Sequence, residues 1–62
     1  MEIKTSYQLI GFTSWGSECL HCNFPNKTRA INEGRKAVRE GYAFSYHVYE
    51  VTGNKARLIH RN

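Results

Sequence analysis

Aspartate is absent from this chain, so its acidic side chains are five scattered glutamates. Catalysis through Mg²⁺ held by grouped carboxylates is therefore not expected. Cysteine is scarce as well, and Cys19 and Cys22 are too few to build a disulfide scaffold. No apolar run approaches the roughly 20 residues that cross a bilayer. Met1-Glu2-Ile3-Lys4 lacks the basic-then-apolar order of a secretion signal. The expectation is a cytoplasmic protein with no membrane partner. Length is the last shortage. A chain of 62 residues makes one domain, residues 1–62, and hides only about 60% of its unfolded surface. An elaborate catalytic cleft does not fit that size, so the expected protein is not an enzyme.

Nine Lys and Arg residues give a net charge of +4. Mild basicity admits nucleic acid or an acidic protein as partner and demands neither. The hydropathy pattern is more specific. Over Glu2–Phe12, Ile3, Tyr7 and Leu9 share one parity, opposed by Lys4, Ser6 and Gln8, which reads as a strand. Thr13-Ser14-Trp15-Gly16-Ser17 reads as a turn. Glu18–Phe24 alternates again and completes a hairpin. Asn26, just after Pro25, is a good helix N-cap. Ala30, Ile31, Gly34, Ala37 and Val38 then recur on one helical face, and Gly41 suits the left-handed position that ends a helix. A stripe of such small residues predicts a helix lying close to its sheet. Tyr42, Phe44, Tyr46 and Val48 share one parity in a strand predicted over Tyr42–Val51, with that parity beneath the helix. Gly53-Asn54 fits a two-residue type II′ hairpin leading into a last strand over Lys55–Arg61. A regular register from that turn pairs Val48 with Ile59, Glu50 with Arg57 and His47 with His60.

Two hairpins joined by a helix pack as an α+β fold, ββαββ. The expected form is a four-stranded antiparallel sheet with one helix on one face, and a right-handed crossover gives strand order 2-1-3-4. The run Phe24-Pro25-Asn26, the helix with Ala30, Gly41-Tyr42 and Val48-Tyr49-Glu50-Val51 together resemble small, uncharacterised phage and prophage proteins built as ββαββ. The resemblance covers about the last two thirds of the chain. It implies the fold and no chemistry, and Cys19-Leu20-His21-Cys22 lies outside it.

That segment is the first candidate site. Two thiolates at this spacing on a turn suit tetrahedral zinc, and His47 with His60 would complete a set of Cys19, Cys22, His47 and His60. In a regular strand, however, Cys19 and Cys22 point to opposite faces. The alternative is a buried, apolar Cys22 and a free Cys19 thiol, with no cofactor. Redox chemistry wants the first cysteine at a helix N-terminus, and here the helix begins only after Pro25. Cysteine catalysis with a histidine base lacks an oxyanion element and an orienting carboxylate.

The helix exterior is the second candidate. Arg29, Asn32, Lys36 and Arg39 oppose the apolar stripe, flanked by Thr28 and Arg35 on one side and Glu33 and Glu40 on the other. Arg35 and Arg39 form a like-charged i, i+4 pair, and Lys27 and Arg29 sit where the helix dipole disfavours cations. Both conflicts suggest a negatively charged partner: a phosphate beside Asn26, Lys27, Thr28 and Arg29, or a nucleic acid on the helix N-terminus with Arg29, Arg35, Lys36 and Arg39. A merely solvated basic face is the competing reading.

The third candidate is the open sheet face, expected to show His47, Tyr49, Val51, Leu58 and His60. Its centre lacks Arg and Lys, which favours a protein partner, including a second copy, over nucleobase stacking. Trp15 is either a lid over the sheet edge or an exposed anchor, and a lid suits so small a protein better. The sequence thus points to a non-enzymatic binding module that engages protein or a second copy through the open face, with its basic helix facing an acidic partner; nucleic-acid binding by the helix and a zinc-stabilised domain are the alternatives.

Overall fold

The computed structural model describes residues 4–62, so Glu2 and Ile3 of the expected first strand lie outside the described residues. Its elements are β1 (Thr5–Phe12), β2 (Glu18–Phe24), α1 (Lys27–Arg39), β3 (Ser45–Thr52) and β4 (Lys55–Arg61). The four strands pair antiparallel in the order β2-β1-β3-β4, and α1 packs across one face. The expected ββαββ fold and strand order are therefore present.

Local chemistry sets both ends of α1. Asn26 is extended, and its Oδ1 accepts from the Arg29 amide at 2.8 Å. At the other end, Gly41 adopts φ 81 and donates to the Val38 carbonyl at 3.2 Å, while Tyr42 donates to the Ala37 carbonyl at 2.8 Å. This is a Schellman ending, which only a residue tolerant of positive φ completes without strain. Ala30, Gly34 and Ala37 are buried beneath the helix, with Ile31 and Val38 half-buried beside them. They cover Leu9, Tyr46 and Val48, the largest fully buried side chains. Tyr7, Leu20, Phe24 and Ile59 close the margins.

Two sequence expectations fail here. The first concerns Tyr42 and Phe44, which do not lie under the helix. The Schellman ending commits the Tyr42 amide to Ala37, and β3 begins only at Ser45. Tyr42 and Phe44 are 73% and 67% exposed, and the smaller Ala43 is buried in their stead. Inward parity holds for Tyr46 and Val48.

The second failure is one of register. Gly53 has φ 62 and no described non-glycine residue has positive φ, as a type II′ turn at Gly53-Asn54 requires. From there Thr52 pairs with Lys55, Glu50 with Arg57 and Tyr49 with Leu58, as expected. A β-bulge then intervenes between Val48 and Tyr49, so Val48 pairs with His60 and His47 with Arg61. Ile59 is the extra residue. Directly paired residues share a sheet face. The bulge therefore carries His60 to the helix side with Val48, and not to the open face with His47.

Candidate interaction surfaces

The central strands build the open face. β1 lies between β2 and β3, so its even-numbered residues look away from the helix, opposite Leu9. Ile10 pairs with His47 and Gln8 with Tyr49 across β1 and β3. On β4, Leu58 stands opposite Tyr49 and Ala56 opposite Val51. The result is an apolar and aromatic centre of Ile10, Phe12, His47, Tyr49, Val51 and Leu58. The His47 ring sits 4.9 Å from that of Phe12, tilted at 60°, and 6.3 Å edge-on from that of Tyr49. His47 Nδ1 is sheltered from solvent and has no hydrogen-bond partner among the described residues.

Polar groups form the rim. Gln8 Nε2 donates to His21 Nε2 at 2.7 Å. That bond assigns the ring proton to His21 Nδ1, which faces Glu18 Oε1 at 3.4 Å. Arg61, opposite His47, stands at one corner. Of the residues expected on this face, His47, Tyr49, Val51 and Leu58 are there and His60 is not. Sequence reasoning missed Ile10, Phe12 and His21. The signal was available: a strand order of 2-1-3-4 makes the first strand central, so its even-numbered residues must show on the face the helix leaves bare.

His60 instead packs against the core. Its ring stacks on Tyr46 at 5.5 Å, and the Tyr46 hydroxyl and His60 Nε2 are 2.9 Å apart. Asn62 Oδ1 accepts from the Tyr46 amide at 2.8 Å. Together with Arg35, Val38, Arg39 and Arg61, these residues line an open cleft of about 350 Å³ between α1 and the end of β4.

The four proposed zinc ligands are not brought together. The cysteines lie on β2 and the histidines on β3 and β4, with β1 between, and the two imidazoles are on opposite faces. Among the described residues no three His, Cys, Asp or Glu side chains are grouped to hold a metal ion. Both thiols are free. They are not opposed as a regular strand would have them. A second bulge pairs Gly11 with Leu20 and Phe12 with Glu18, leaving Cys19 as the extra residue. Its thiol reaches the Tyr42 carbonyl at 3.5 Å, just beyond the helix, on the side that Cys22 also faces.

At the helix N-terminus, Asn26 Oδ1 is already engaged by the Arg29 amide, and Lys27, Thr28 and Arg29 are exposed. Lys36 and Arg39 project on opposite flanks of α1, Lys36 toward β2 and Arg39 toward β4. Trp15 is no lid. It stands at the tip of the β1–β2 turn, 92% exposed, in a loop held by Thr13 N donating to Ser17 O at 2.8 Å and Gly16 N donating to Thr13 O at 2.9 Å. Among the described residues no helix is long and apolar enough to cross a membrane. Comparison with protein families, with curated proteins and with solved structures finds no match to this chain.

Proposed function

We propose that this protein is a non-enzymatic binding module that self-associates by packing its open sheet face against that of a second copy. The observation that carries this reading is the cluster of Ile10, Phe12, His47, Tyr49, Val51 and Leu58 on the side of the sheet opposite the helix. A second copy is the occupant favoured by charge. No Lys, Arg or Glu side chain lies within the cluster, so a two-fold contact brings no like charges together at its centre.

Size also favours a third layer. The molecule is only 15 Å through its thinnest dimension, one sheet and one helix deep. Aligned sheets pack about 10 Å apart, which would turn two thin cores into one thicker one. Four strands about 4.8 Å apart and about 24 Å long present roughly 450 Å² per partner in plan. That falls below the roughly 600–1,000 Å² per partner of a stable interface and in the range of weak, transient contacts, so the dimer should dissociate on dilution.

Sedimentation equilibrium over a concentration series tests the reading. The expected result is a mass rising from monomer to dimer, with Tyr49→Glu and Leu58→Glu both remaining monomeric and folded. A wild-type chain that stays monomeric at the highest concentrations, or a dimer that both variants retain, overturns it.

A further inference from the structure

The charges on this protein are divided between its two edges. On the β2 side, α1 shows Glu33, Lys36 and Glu40 beside Cys22 and Phe24, and β2 itself begins at Glu18. On the β4 side, α1 shows Arg35 and Arg39. The exposed edge strand there carries Lys55, Arg57 and Arg61. Only one described carboxylate, Glu50, reaches that edge, where Arg57 Nη2 lies 3.4 Å from its Oε1. Among the described residues, Arg35, Arg39 and Arg61 have no carboxylate within 4.0 Å. Arg35 and Arg39 are successive turns of one helix, and they share their cleft with Arg61 and His60. Local stability favours the reverse, an acidic residue facing each arginine. The bulge at Ile59 completes the convergence. It brings His60 in from the open face, where its Nε2 lies 2.9 Å from the Tyr46 hydroxyl.

We propose that the cleft between α1 and β4 is a phosphate-binding groove that takes the backbone of a polynucleotide. Guanidinium groups match phosphate oxygens two at a time, and phosphate recognition needs only cations and hydrogen-bond donors. The cleft offers little else. Its apolar lining is Val38 and the buried Tyr46, with no exposed aromatic anchor of the kind a protein partner would use. On the helix side of β4 the cations continue beyond His60 through Arg57 to Lys55, roughly 17 Å at strand rise. One phosphate cannot span that length, whereas a polynucleotide backbone can. Apart from Arg61, which pairs with His47 at a corner of the sheet, this surface lies on the helix side, so the inference does not rest on self-association through the open face.

The test is fluorescence-anisotropy titration of a labelled single-stranded oligonucleotide of mixed sequence over a range of salt concentrations. Wild-type protein is compared with Arg35→Gln/Arg39→Gln, with Arg61→Gln and with Lys36→Gln, circular dichroism checking that each is folded. The expected result is wild-type affinity falling linearly in log–log against salt. The double variant should bind at least tenfold more weakly, with a slope shallower by about 1.5. Arg61→Gln should show a smaller loss and Lys36→Gln close to none. Absence of binding, an affinity flat in salt, or equal losses from Lys36→Gln and the arginine variants overturns the proposal. So does polyglutamate that binds as tightly as the oligonucleotide, which would assign the groove to an acidic protein.

Discussion

Gly34 lies flat against the ring of Tyr46. A Cβ placed on Gly34 would stand 2.8 Å from Tyr46 Cγ and closer still to Cδ2. Glycine in a helix interior costs about 1 kcal/mol relative to alanine, so Gly34→Ala in an unconstrained helix would stabilise. Here the methyl must displace the largest side chain of the core, or lift the helix from the sheet. Such overpacking costs about 1–3 kcal/mol. The expected net result is destabilisation, read as a lower Tm and urea midpoint. A raised midpoint would mean that helix and sheet are not in close contact at this position.

The N-cap supplies a second expectation. Asn26→Ala removes the acceptor for the Arg29 amide and should cost about 0.5–2 kcal/mol. Asn26→Asp keeps the acceptor and adds a negative charge beside Lys27 and Arg29, at the positive end of the helix dipole. It should therefore match or exceed wild-type stability in chemical denaturation at neutral pH. An aspartate variant as unstable as the alanine variant would contradict the assigned cap.

Tyr46→Phe tests the bulge-dependent placement of His60. The substitution preserves the ring but deletes the hydroxyl that lies 2.9 Å from His60 Nε2. Loss of one such bond should lower stability by about 0.5–1.5 kcal/mol with the m-value unchanged. In a register without the bulge, His60 would be on the far side of the sheet and the hydroxyl would have no such partner. A neutral Tyr46→Phe therefore favours the regular register.

Trp15 is the only tryptophan. At 92% exposure it should emit near the wavelength of free indole in the folded protein, and shift little on unfolding. Trp15→Ala should change stability by no more than about 0.5 kcal/mol. A blue-shifted native emission would show that the indole is covered.

The parts of this fold that were legible in the sequence are those set by local chemistry and simple periodicity. Asn26 and Gly41 mark the helix ends, the small-residue stripe marks its buried face, and Gly53-Asn54 fixes the last hairpin turn. What could not be read came from single-residue irregularities. Periodicity assumes an unbroken strand, and the Ile59 bulge breaks that assumption without leaving a glycine or proline as a marker. One inserted residue reverses the facing of everything beyond it. It moved His60 from the open face to the cleft with Arg35 and Arg39. Tyr42 and Phe44 misled for a related reason. Their alternation imitates a strand, while the Schellman ending at Gly41 has already committed the backbone there. The open face was under-read in turn. Ile10 and Phe12 become neighbours of His47 only once the first strand is known to be central.

The central claim is that the bare side of the sheet, and not the helix side, is where a second copy docks. Side-chain NMR spectra recorded over a dilution series test it most directly. The Ile10, Val51 and Leu58 methyls and the Phe12, His47 and Tyr49 rings should shift together with concentration. Ala30, Ala37 and Val38 on the helix should hold still. Shifts confined to the helix residues, or no concentration dependence at any of these positions, would contradict the account.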